Sequence, residues 1–249
     1  MNWGQDQLIF PTHAVGSPGP LPRGAQTIEI DAASRVKLHG VYIPPARSAN
    51  ERILVLGFGG NAWNGADVAA YLHHLYPTAH VVTFHYRGYR PSTGSPSAEA
   101  LIGDAPVVFD AAVERVDPDQ VVVVGFSIGS GIGASLANRR PMNGLILVTP
   151  FDSLKAVAQD LYPWLPVGLL FQHEIDSARF LERAKVPVAV VAAEHDQIVP
   201  AGRTAALRPK IRNLVYDRTI ANAGHNDIYG RADFEKVMRE AFAVVVDAG

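Results

Sequence analysis

Two kinds of hydrophobic pattern divide the chain. In "QTIEID" and "RVKLHGVYI" apolar and polar positions alternate, the period of a strand with one wet face. The turn-like "AASR" between them predicts an antiparallel hairpin at a sheet edge. From "RILVLGF" onward the alternation stops. "HVVTFHY", "QVVVVGF", "GLILVTP" and "VPVAVVAAEHD" are short, nearly continuous apolar runs, as strands buried on both faces are, and they predict a parallel sheet covered by helices. Helical patterns fill the gaps at about Ala66 to Leu75, Ala98 to Val116, Ile128 to Arg139 and Pro200 to Leu207. "NLVYDRTI" adds a last strand and Ala232 to Val246 a last helix. Pro106 predicts a break or kink in the second helix near Asp104, with Asp104 capping the turn that follows. The whole reads as a doubly wound, mostly parallel α/β sheet behind a hairpin. Ligands of such sheets gather at the carboxyl ends of the strands, so one rim of loops holds the candidates.

Composition narrows the class. A chain of 249 residues has the length of one sizeable α/β domain, and residues 1–249 are read as that. The net charge of −2, with no cluster of lysine or arginine, points away from nucleic acid and acidic lipid surfaces. Absence of cysteine removes disulfides, thiolate catalysis and cysteine metal sites, and it suits a reducing, cytoplasmic location. No stretch supplies the roughly 18–20 uncharged apolar residues of a membrane-spanning helix. "MNWGQDQLIFPTH" lacks the basic head and apolar run of a signal peptide. "VGSPGPLPRGA" reads as an extended surface connection.

Against that frame, "VVVVGFSIGSG" raises a specific chemistry. Ser127 follows a buried strand and precedes a helix of small residues, with Gly125 and Gly129 two positions away on either side. A turn this tight lifts a serine hydroxyl above the sheet at the positive end of a helix. Such a hydroxyl is a poor nucleophile until a base lies within hydrogen-bond reach and an acid orients the base. Asp196, just past the fifth buried run, and His225, just past the last strand, fall on the same rim in the order serine, acid, histidine. Glu194 and Asp152 are the other carboxylates at strand ends, and Asp196 is preferred to both. His195 should face solvent, and Asp227 should cap the turn after His225.

The stretches "GFGGNAWN", "FHYRGYRPSTGSPS", "VGFSIGSG", "YPWLPVGLL", "AEHDQIVP" and "GHND" resemble an α/β-hydrolase of the serine-hydrolase branch, in particular the small-cap group that includes acyl-protein thioesterases. The resemblance runs from about Leu8 to the C-terminus. It implies the α/β-hydrolase fold, with Ser127 as nucleophile, His225 as general base and then acid, and Asp196 as its orienting partner. It also implies an oxyanion hole built from the backbone N–H groups of Ile128 and Asn61, with Gly60 the nearby alternative to Asn61. The sequence departs from the family at Gly59, where a histidine is usual. Arg87 is read as a structural tie between loops.

The cap-like insertion is residues 152–186. Its apolar, proline-punctuated middle makes Trp164, Leu165, Leu169 and Phe171 candidates to roof an acyl pocket, with Gly60 and Trp63 on the other side. So short a cap should leave an accessible cleft. Metal chemistry lacks a ligand set: His73 and His74 are adjacent on a helix and diverge, and no third ligand accompanies "HND". "GFGGNAWNG" lacks the spacing and lysine of a phosphate loop. The expected activity is cofactor-free hydrolysis of carboxylic esters or thioesters, in small-molecule or acylated substrates, through an acyl-enzyme. The same scaffold carries peptidases and lyases, and the change at Gly59 keeps open a binding protein without turnover.

Overall fold

The computed structural model describes residues 9–164 and 171–249. Among these, eight strands form one sheet: β1 (Gln26–Ala32), β2 (Val36–Ile43), β3 (Ile53–Phe58), β4 (His80–Phe84), β5 (Gln120–Phe126), β6 (Gly144–Val148), β7 (Val188–Ala193) and β8 (Leu214–Ile220). Their order is β1-β2-β4-β3-β5-β6-β7-β8. β1 and β2 make the expected antiparallel hairpin, β2 also runs antiparallel to β4, and the strands from β4 to β8 are mutually parallel.

The helices are α1 (Gly65–Leu75), α2 (Ala98–Val116), α3 (Ile128–Ala134), α4 (Leu154–Leu161), α5 (Ser177–Leu181), α6 (Ala201–Leu207) and α7 (Ala232–Ala248). Two apolar layers form, one on each face of the sheet. α2 and α3 pack in one layer, α1 and α7 in the other. The four valines of β5 divide between them: Val121 and Val123 enter the first layer, Val122 and Val124 the second. Strand alternation therefore persists in this run, but both faces are dry and both demand apolar side chains.

The chain leaves β3 toward β4 on one side and leaves β5 toward β6 on the other. A crevice opens where this direction reverses, at the carboxyl ends of β3 and β5. Ser127 and the loop after β3 both lie there.

Three local expectations need correction. α2 runs unbroken through Pro106. The missing proline N–H frees the carbonyl of Ile102 four residues earlier, and the Arg139 guanidinium donates to it at 2.8 Å. Asp104 caps nothing. Its carboxylate instead takes Nε and Nη2 of Arg87, at 2.9 and 2.5 Å. α3 is also shorter than its pattern suggested and ends at Ala134. Beyond it the Ser135 hydroxyl donates to the Ile132 carbonyl at 2.7 Å, and the chain continues in tighter i→i+3 turns.

Candidate active site

Ser127 sits on a strained elbow, with φ 53° and ψ −120°. Space explains its flanking glycines. A Cβ on Gly125 would stand 2.4 Å from the Gly129 carbonyl oxygen, and one on Gly129 would stand 2.2 Å from the Phe58 oxygen and 2.5 Å from the Gly59 oxygen. The start of α3 is thus pressed against the end of β3 and its loop. The Ser127 N–H donates to the Val148 carbonyl of β6 at 2.9 Å, and the Ser130 hydroxyl donates to the Ser127 carbonyl at 2.6 Å. Backbone clamps of this kind sustain a conformation that a lone residue would avoid.

The structure brings Ser127, His225 and Asp196 into one line of hydrogen bonds. His225 Nε2 lies 3.0 Å from the Ser127 hydroxyl, and Nδ1 lies 2.7 Å from Asp196 Oδ2. An ionised Asp196 only accepts, so the proton between them belongs to Nδ1, and Nε2 is left to accept from the serine. The other Asp196 oxygen takes the N–H groups of Ile198 and Val199 at 2.9 and 2.7 Å. Both oxygens are committed, and the side chain is only 3% exposed.

The neighbouring carboxylates have other partners. Glu194 accepts the Asn222 N–H at 2.8 Å, and the His195 N–H bonds the Ala223 carbonyl at 2.8 Å. These contacts bind the loop of Asp196 to the loop of His225, a role the sequence pattern left unread. Asp152 faces Arg203, 3.4 Å away. His195 is exposed, as expected. Asp227 reaches back to the Gly224 N–H at 2.6 Å, so it supports the turn before His225 rather than the one after.

The loop after β3 lies beside Ser127: a Cβ on Gly60 would be 3.8 Å from Ser127 Cβ. A Cβ on Gly59 would come within 2.8 Å of the Val68 side chain on α1, so a larger residue there requires that side chain to shift. Support for the loop comes from elsewhere. The buried Tyr86 hydroxyl donates to the Gly59 carbonyl at 2.7 Å, and the Asn61 side chain donates to the Ile9 carbonyl at 3.2 Å. Burial drives the Tyr86 hydroxyl well above its usual pKa, so it remains a donor. Tyr86 is the residue that sequence reasoning missed; only its place near Arg87 in "FHYRGYR" hinted at it. Arg87 does act as a tie, joining Asp104 and reaching the Ala33 carbonyl at 3.4 Å.

A cavity of about 810 Å³ opens over the triad. Gly60, Asn61, Trp63, Ile128 and Phe171 all line it. Trp63 packs against Tyr229 and Phe126, with ring centroids 5.0 and 5.2 Å away. Trp164 requires correction. It is 74% exposed, stands edge-on to Tyr162 just beyond α4, and is not part of the cavity wall. The turn that ends α4 carries it outward. Leu165 and Leu169 lie outside the described residues.

A nucleophile elbow at the switch point of a mostly parallel sheet defines the hydrolase architecture. Residues 53–172 match a family model described as the alpha/beta hydrolase fold. An uncharacterized protein of Mycobacterium tuberculosis is 31% identical over 95% of this chain and 87% of its own length. The lysophosphatidylserine lipase ABHD12 of Danio rerio is 32% identical over 59% of this chain, which spans 44% of that lipase. The Pyrococcus furiosus esterase Pf2001 superposes with a TM-score of 0.72 at 17% identity, covering 92% of this chain and 96% of that one. The chain belongs to the α/β-hydrolase family. Its fold and relatives are those of hydrolases. Among the described residues, no helix is long and apolar enough to cross a membrane.

Proposed function

We propose that the chain is a serine esterase that cleaves carboxylic esters, and thioesters with the same acyl groups, through an acyl-enzyme. One observation carries this reading: Ser127, His225 and Asp196, far apart in the chain, share an unbroken line of hydrogen bonds at the floor of an apolar cavity. Ser127 attacks the acyl carbonyl while His225 Nε2 takes its proton, and Asp196 steadies the imidazolium that results. The oxyanion rests on the Ile128 and Asn61 N–H groups, each worth about 3 kcal/mol in the transition state. Collapse expels the alcohol or thiol, protonated by His225. Water activated by the same imidazole then releases the acid.

Esters and thioesters present the same carbonyl to Ser127, so the cavity suits both. The relatives named esterase and lipase support an acyl substrate. The test is labelling by a fluorophosphonate probe together with turnover of p-nitrophenyl and matching thioesters. Labelling should map to Ser127 and vanish in Ser127→Ala. A folded chain that resists the probe and cleaves neither ester class would refute the reading.

A further inference from the structure

Glu194 and His195 are adjacent just beyond β7, yet their N–H groups reach carbonyls three residues apart, Ile220 at 3.1 Å and Ala223 at 2.8 Å. The chain between those carbonyls therefore swings outward, and Ala221 and Asn222 are exposed. Asn222 is left-handed there, with φ 53°. After this kink the chain turns back inward. Ala223 is fully buried, and the buried His225 follows two residues later.

Two side chains of opposite charge grip the kink from different elements. The Glu194 carboxylate accepts the Asn222 N–H at 2.8 Å. The Arg231 guanidinium donates to the Ala221 carbonyl at 3.2 Å and to the Asn222 carbonyl at 3.4 Å. Arg231 is itself held by Asp233 in the first turn of α7, through two hydrogen bonds of 3.1 Å. A frame thus runs from the loop of Asp196, through the kink, to the start of α7. A left-handed residue other than glycine persists where its surroundings over-determine it, and charged partners make the stronger hydrogen bonds.

We propose that Glu194 and Arg231 are positioning residues for the base. By holding the N–H and the carbonyls of the kink, they fix where His225 Nε2 stands beside the Ser127 hydroxyl, 3.0 Å away. The proposal rests on the esterase reading above, in which that nitrogen takes the serine proton. Neither residue is among the described residues lining the cavity, so their loss acts on the chemical step and spares binding. Misplacing a reacting group by about 1 Å costs up to about a hundredfold in rate. Asp227 still holds the Gly224 N–H at 2.6 Å, so losing one grip loosens the loop without releasing it.

The experiment measures steady-state kinetics on a p-nitrophenyl ester, with melting temperatures, for the full chain and three variants. Glu194→Ala and Arg231→Met should each lower kcat about tenfold while KM stays within about twofold. Glu194→Gln should recover most of the alanine variant's loss, because its carboxamide oxygen still accepts the Asn222 N–H. The Glu194 and Arg231 side chains are 49% and 32% exposed, so the variants should fold. Should Glu194→Ala fail to fold, Arg231→Met decides alone. An unchanged kcat, a loss confined to KM or to melting temperature, or a glutamine variant as impaired as the alanine one overturns the inference and leaves the esterase reading intact. An unaltered chain that cleaves no ester and resists the fluorophosphonate probe overturns both.

Discussion

The Tyr86 hydroxyl donates to the Gly59 carbonyl across 2.7 Å. Because the peptide unit is planar, holding this oxygen also sets the direction of the next N–H, that of Gly60. The contact orients the loop that carries Asn61, in a chain where Val68 crowds any side chain at position 59. Tyr86→Phe should therefore lower kcat about tenfold while KM changes little, since a loosened loop weakens oxyanion binding more than substrate binding. Steady-state kinetics on a p-nitrophenyl ester decide the matter, and a change confined to KM would contradict it.

Strain at Ser127 has a thermodynamic signature. Its φ of 53° with ψ of −120° disfavours any side chain. Ser127→Gly should raise stability by about 1 kcal/mol after the extra flexibility of unfolded glycine is discounted, or roughly 2–4 °C in melting temperature. Activity should be lost. Calorimetry showing a lower melting temperature would mean that the elbow is relaxed.

Arg87 and Asp104 form a bidentate pair whose side chains are 11% and 10% exposed. Arg87→Met strands a carboxylate and should cost about 3 kcal/mol in urea unfolding. Adding Asp104→Leu should recover most of that loss. A double variant no more stable than the single one would argue against a paired role.

Ala158 lines the cavity from α4. Ala158→Phe should shift the preferred acyl length toward shorter chains. Each methylene displaced from the cavity costs about 0.8 kcal/mol, or about fourfold in kcat/KM. A series of p-nitrophenyl esters reads this directly, and an unmoved optimum would place the acyl chain elsewhere.

Burial raises the hydroxyl pKa of Tyr76, Tyr86, Tyr89 and Tyr229, chiefly by penalising the phenolate. Above about pH 10 the unfolded chain gives up these protons while the folded chain keeps them. The folded state then binds more protons, so stability falls as pH rises, by about 1.4 kcal/mol per pH unit for each tyrosine. Below about pH 10 the contribution is constant. Urea midpoints should therefore be level up to about pH 9 and drop steeply by about pH 11.

The sheet, and the meeting of Ser127, Asp196 and His225 on one rim, were legible because each signal is local. Buried runs such as "QVVVVGF" announce parallel strands, and Ser127, Asp196 and His225 each follow a strand end, where such sheets gather their chemistry. Contacts joining distant segments left no local trace. Nothing in "GFGGNAWN" announces that a tyrosine 27 residues beyond Gly59 would hold it. Glu194 read as a rival acid because its partner, the Asn222 N–H, is backbone and has no sequence signature. Asp104 read as a cap because its partner Arg87 lies in a separate segment, the loop after β4. Trp164 was misplaced because hydrophobicity marks a segment as apolar without stating which way a turn directs its ring.

Pro106 and Arg139 together show how a flaw in one element can serve another. The carbonyl that the proline leaves vacant is the socket into which the arginine fits, and the segment following α3 is fastened to α2 by it. Pro106→Ala would mend the helix and, in the same stroke, unplug its neighbour.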